Sequence, residues 1–132
     1  FEQYLGQFPA QVFDKINENF IRCSFFELCS RYLSSCYTFA IEQNNSAGRS
    51  DFEMTGIPGT DYYKDDRLAE FKYFKAKEAE RMLALSDPRP EDVAQVLAYA
   101  KDTKVKFPHY HVRSYIVYIC ANKGWKCWEV TP

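Results

Sequence analysis

Residues 65–85 run Asp65-Asp66-Arg67-Leu68-Ala69-Glu70-Phe71-Lys72-Tyr73-Phe74-Lys75-Ala76-Lys77-Glu78-Ala79-Glu80-Arg81-Met82-Leu83-Ala84-Leu85, and the reading of this stretch decides the fold. Leu68, Phe71, Phe74, Ala79, Met82, Leu83 and Leu85 form an apolar stripe to Leu85, at mostly helical spacing. Lys72, Lys75, Lys77, Glu78, Glu80 and Arg81 form the opposite face, with unlike charges three and four apart. The spacing predicts one helix, capped by Asp65 or Asp66. The carboxylate pairs Asp65/Asp66 and Glu78/Glu80 then read as a helix cap and a solvated surface.

Toward the C-terminus, Ser86-Asp87-Pro88-Arg89-Pro90-Glu91-Asp92 stops that helix and starts another, carried by Val93, Val96, Leu97 and Ala100 to about Asp102. A last helix is expected from Tyr110 to Cys120, with Asn122-Lys123-Gly124 as its cap. Toward the N-terminus, residues 43–61 hold Gly48, Gly56, Gly59 and Pro58 and read as one long loop. Before it, Pro9 opens a stretch to about Gln43 with no Gly and no further Pro, in which Phe13, Ile16, Phe20 and Cys23 keep helical spacing. Tyr37-Thr38-Phe39-Ala40-Ile41 within it alternates enough to be a short strand instead. The expectation is an all-α domain spanning 1–132: a compact bundle of four to five helices, with parts 1–42 and 62–132 joined by the loop.

The chain has 132 residues, enough for one domain. Apolar residues make up 46%, and 11 Phe, 10 Tyr and 2 Trp supply aromatic surface enough to fill a core. With 17 basic and 18 acidic residues, net charge gives no reason to expect nucleic acid or an anionic membrane as partner. No apolar run reaches the roughly 18 residues that span a bilayer.

Five cysteines bound the compartment. Arg22, Cys29 and Cys36 are spaced by sevens, and so are Arg113, Cys120 and Cys127. The repeat suggests an internal duplication with two C-x6-C motifs. On one helix, residues seven apart are separated by about 10 Å, beyond the roughly 7 Å that a disulfide tolerates. Each motif therefore either bridges to another helix or folds back where its helix ends, which Gly124 makes easy in the second copy; Cys29, Cys36, Cys120 and Cys127 are the disulfide candidates, and Cys23, without a counterpart, is the expected free thiol. The alternative is that all five are reduced and buried. Asn44-Asn45-Ser46 is an N-glycosylation acceptor at Asn44. Disulfides and a sequon together point to a secreted protein.

The segment Cys29-Ser30-Arg31-Tyr32-Leu33-Ser34-Ser35-Cys36, with its second copy from Cys120 to Cys127, resembles the bicycle proteins of gall-forming aphids, named for paired cysteine-tyrosine-cysteine motifs. The second copy departs from the pattern, since it encloses Trp125 and no tyrosine. The resemblance implies a salivary effector with no catalytic residues.

No catalytic, cofactor or metal motif is expected. His109 and His111, two apart, face different sides of a helix. Tyr62, Tyr63, Tyr110, Trp125 and Trp128 are interface candidates, because Tyr and Trp bring large area at low entropy cost. The sequence thus predicts a secreted, non-enzymatic effector that binds a host protein. The alternatives are a carrier holding a small apolar ligand in an aromatic cavity and a small hydrolase using His109 or His111.

Overall fold

The computed structural model describes residues 1–45 and 48–132, and the side chains of these except 42–45 and 48–50. Short helix α1 (Glu2–Leu5) and a 3-10 turn (Ala10–Asp14) lead to α2 (Glu18–Leu33), which Asn17 caps by accepting the Phe20 N–H at 3.0 Å. Then come strands β1 (Tyr37–Asn45), β2 (Gly48–Gly56) and β3 (Asp65–Phe74), helices α3 (Ala76–Leu83) and α4 (Pro90–Lys106), and strands β4 (His111–Cys120) and β5 (Gly124–Val130). The sheet order is β1-β2-β3-β4-β5. β3 and β4 are parallel and the other pairs antiparallel, with α3 and α4 making the crossover.

The fold is therefore α/β, not all-α. Residues 65–74 are a strand because β2 and β4 both bond to it. A central strand buries both faces and so carries apolar residues at both parities. Leu68 and Phe74 face one way and Phe71 the other, which imitates a helical stripe. Only Ala76–Leu83 of the expected helix is helical. Residues 111–120 are likewise a strand: Val112, Tyr115, Ile116, Val117, Tyr118 and Ile119 are β-branched or aromatic and alternate between two buried faces. The expected loop 43–61 is mostly β2 and its hairpin with β1, leaving 57–64 as the turn into β3. Tyr37–Ile41 is the strand that its alternation allowed, and α4 lies where the Pro90 start placed it.

Two layers sandwich the sheet. On one face α2 packs Ile21 and Cys29 against Phe52, Phe71 and Ile119, with Phe25 edge-on to Phe52 at 5.1 Å. On the other, α3 and α4 pack Ala79, Met82 and Val96 against Phe74, Ile116 and Tyr118, and Tyr99 against Leu68. Each fully buried Phe or Ile here contributes about 1.5–3 kcal/mol.

All five cysteines are free thiols, which corrects the expected cross-links. Cys127 lies opposite Val117, on the α2 face of the sheet, whereas Cys120 is buried among Phe74 and Tyr118 on the other. The sheet stands between them. Cys29 is buried under α2, where loss of hydration pushes its thiol up to about 11. Cys36 sits in the turn before β1, and Cys23 is exposed. The shared spacing of sevens joins a helix and turn in one copy and a β-hairpin in the other, so it marks no structural duplication. Ser46 of the sequon lies outside the described residues, and of the acceptor Asn44 only the backbone, in β1, is described.

Candidate active site

Among the described residues the β2–β3 ladder stops at Phe52–Ala69, although both strands run on. The gap is bridged by a side chain. Asp51 Oδ2 accepts the Phe71 N–H at 2.9 Å, and Asp51 Oδ1 meets Arg22 of α2 at 2.9 Å. Arg22 also donates to Asn19 Oδ1 at 2.7 Å. Asp51 is thus held from both sides of the opening.

Glu70 and Lys72 flank Phe71 on β3. Being two apart on a strand, they share a face, the one that carries Leu68 and Phe74. Lys72 Nζ lies 3.2 Å from Glu70 Oε1. Glu70 is only 3% exposed, and its Oε2 is buried with no hydrogen-bond partner. Burial, then the charge of Asp51, push the Glu70 carboxyl up to about 7, against the pull of Lys72. Burial works against the Lys72 charge as well. Glu70 outweighs it, helped by Glu18 at the start of α2 and by Asp92, and holds the ammonium above its usual range.

Asp92, in the first turn of α4 and 3% exposed, anchors Lys72 from the other layer at 3.9 Å. It is a satisfied buried carboxylate: Arg89 Nε donates to it at 2.9 Å, and so does the Tyr118 hydroxyl. Tyr118 in turn accepts the Arg89 N–H at 3.0 Å. The Arg89 guanidinium stacks over Phe74 at 5.2 Å, so the network is packed as well as bonded.

Asp51 and Glu70 are hard oxygen donors on neighbouring strands, and Glu70 Oε2 is unpartnered. That suits a divalent cation such as Mg2+, which takes one or two carboxylates and completes its shell with water and substrate phosphate. Among the described residues no three His, Cys, Asp or Glu side chains converge on one point, so a closed protein cage is not formed.

Most residues singled out from sequence lie elsewhere. Tyr62 and Tyr63 are exposed in the turn before β3 and Tyr110 is beside them. Trp125 opens β5, nearly half exposed. Trp128 is anchored, with its indole donating to Ser86 O at 2.9 Å and its ring on Tyr118. His109 and His111 are exposed, one before β4 and one at its first position. Asp66 is no helix cap; it is fully buried in β3. A half-open apolar cleft of about 800 Å3, lined by Phe8, Phe52, Phe71 and Tyr115 among others, lies on the α2 face. It is not the enclosed cavity of a carrier. No described helix is long and apolar enough to cross a membrane.

Sequence spacing alone sets Lys72 on a solvated face and Asp92 in a helix start, and marks neither these nor Asp51 and Glu70 as site residues. One signal was present: an acidic residue, any residue, then lysine. That pattern occurs twice, at Glu70-Phe71-Lys72 and Asp102-Thr103-Lys104. Structure separates the two, since the second lies on α4, where residues two apart diverge and Asp102 pairs with Lys106 at 3.4 Å.

Residues 16–129 match the family model described as the PD-(D/E)XK nuclease superfamily. No curated protein and no solved structure matches the chain. The name spells an aspartate followed by (D/E)-x-K. Here Asp51 follows Ser50 rather than proline, and Glu70-Phe71-Lys72 supplies the second part. The match overturns the non-enzymatic effector expected from the cysteines, and the carrier alternative fits no better. With most of its length matched and the two parts of the motif side by side in space, the chain belongs to the PD-(D/E)XK nuclease superfamily.

Proposed function

We propose that the chain is a divalent-cation-dependent nuclease that hydrolyses phosphodiester bonds at the mouth between β2 and β3. The observation that carries this is the 3.2 Å contact of Glu70 with Lys72, buried beside Asp51 in a chain of this family. Asp51 and Glu70 would hold the cation. When bound, it supplies positive charge to the phosphate under attack.

In the reaction a water oxygen bonds to phosphorus and gives up one proton, the bond to the leaving ester oxygen breaks, and that oxygen takes up one proton, so the sum is the addition of one water. Charge accumulates on the non-bridging oxygens. Lys72 is built to meet that charge. Three carboxylates keep it protonated, so it acts as a fixed cation rather than as a base in the free protein. Asp92 holds the ammonium in place from α4, and Arg22 and the Phe71 N–H hold Asp51. A site orientated in advance avoids reorganisation when the charge develops.

The test is cleavage of end-labelled single- and double-stranded oligonucleotides with Mg2+ or Mn2+. Wild-type protein should cut and Glu70→Gln should not. Absence of cleavage by the wild type with every cation tried, or equal cleavage by Glu70→Gln, overturns the reading.

A further inference from the structure

Opposite the candidate site, at the end of the sheet where β3 and β4 begin, the fold gathers exposed aromatic rings. Tyr62 and Tyr63 are 43% and 46% exposed, and Phe107 is 39% exposed. Tyr110 bridges Tyr63 and Phe107, its ring 6.3 Å from the first and 5.1 Å from the second. Tyr62 rests on the buried Tyr37 at 5.1 Å. Lys64 Nζ lies 5.5 Å over the Tyr63 ring.

These rings are held by backbone. Asp65 N–H bonds to Tyr62 O at 2.9 Å, and His111 N–H to Lys64 O at 2.7 Å. Lys64 adopts a positive φ of 68°. A Cβ on Gly56 would stand 1.6 Å from Tyr62 O, so the turn lies flush against the end of β2. The backbone that carries the rings is therefore held in place, with little of its freedom left to lose on binding.

The same end carries a modest excess of positive charge. Residues 61–67 and 101–113 hold Lys64, Arg67, Lys101, Lys104, Lys106 and Arg113 against Asp61, Asp65, Asp66 and Asp102, in a chain of 17 basic and 18 acidic residues. Aromatic faces interleaved with cations suit a polyanion with unstacked bases. A duplex hides its base faces and leaves the rings nothing to stack on. From Asp65 to Glu70 along β3 is roughly 17 Å at about 3.3 Å per residue, a reach of a few unpaired nucleotides.

We propose that Tyr62, Tyr63, Phe107 and Tyr110, with Lys64, form a stacking platform for single-stranded nucleic acid. It rests on the nuclease reading and names the substrate class.

The test uses the full chain, a fluorescein-labelled 20-nucleotide oligothymidylate, and buffer with chelator so that nothing is cut. Binding is read by anisotropy over a salt series. The double variant Tyr63→Ala/Tyr110→Ala should bind at least tenfold more weakly. Tyr32→Ala, which removes a still more exposed ring on α2, should bind as wild type. Lys64→Ala should make the salt slope shallower by about 0.7. A duplex of equal length should bind more weakly than the single strand. Should the double variant melt early, Tyr63→Leu, at one exposed position, reads the same loss. Binding by Tyr63→Leu and the double variant within twofold of wild type, or duplex binding as tight as single strand, overturns the platform. Cleavage by wild type with no effect of the platform variants leaves the nuclease reading standing and removes the platform. Platform-dependent binding without cleavage under any cation does the reverse.

Discussion

Asp51 Oδ2 accepts the backbone N–H of Phe71 at 2.9 Å, across the place where β2 has parted from β3. A carboxylate of the candidate site thereby substitutes for a missing rung of the sheet. Phe71 is the middle residue of the Glu70-x-Lys72 pattern, so the bond sets the spacing between both halves of the motif. Asp51→Ala should cost about 1–3 kcal/mol, because it leaves the Phe71 N–H and Arg22 without this acceptor. Asp51→Asn keeps an acceptor and should lose cleavage with less loss of stability. Urea unfolding of the two variants checks this, and equal midpoints would sink the strapping role.

Lys72→Ala should lower kcat by about 100-fold or more while moving KM less, since the ammonium is placed for charge that develops only in the transition state. Steady-state cleavage kinetics decide it. A variant with raised KM and unchanged kcat would assign Lys72 to substrate binding instead.

Asp92 receives Arg89, Tyr118 and Lys72 while buried. Asp92→Ala should therefore destabilise by roughly 3–5 kcal/mol, the cost of stranding buried partners. Tyr118→Phe removes the donor to Asp92 and the acceptor of the Arg89 N–H, and should cost about 1–3 kcal/mol while leaving Lys72 held. If both variants unfold at the wild-type temperature, the network contributes nothing to the fold.

Asp66 gives the fold a pH dependence. It is fully buried, and burial, then Glu53 beside it, push its carboxyl up from 3.8 to about 8, against the hydroxyl bond from Thr55. The folded protein therefore holds a proton that the unfolded chain releases above about pH 4. Stability falls as pH rises through the window from about 4 to 8 and levels off beyond it. Asp66→Asn needs no proton, so it should gain stability relative to wild type as pH rises toward 8. Thermal melts at pH 5 and 8 test this; a difference between variant and wild type that is the same at both values refutes it.

Without reductant, alkylation of the unfolded chain should modify five thiols, counted by mass. In the folded chain Cys23 should react fast and Cys29 and Cys120, both buried with raised pKa, slowly. Fewer than five modified thiols would restore a disulfide.

The sequence showed its helices where local signals are strong: Pro90 with acidic residues for α4, and the amphipathic face of α3. It misled at β3, where Leu68, Phe71 and Phe74 serve two different faces of a buried strand, and their spacing cannot be told from a helix. The alternation in Tyr115–Ile119 was legible and lost to the neighbouring helical reading. The site failed for a related reason. Lys72 looks like a member of a solvated face until β3 is known to be central, and Asp51 looks like a loop residue until it is known to lie on β2, beside β3. The cysteine spacing was real but had no common structural cause.

The family match begins at residue 16, yet the first fifteen residues are built into the core. Leu5 and Phe13 are buried with Ile21 and Phe71, Phe1 packs edge-on to Phe25 at 5.4 Å, and the Tyr73 hydroxyl donates to Phe13 O. The unit that evolution repeats and the unit that folds therefore have different borders here. A fragment cut at the homology border would bare the underside of the strand that carries Glu70 and Lys72, and would pass for a dead enzyme when it was only an incomplete one.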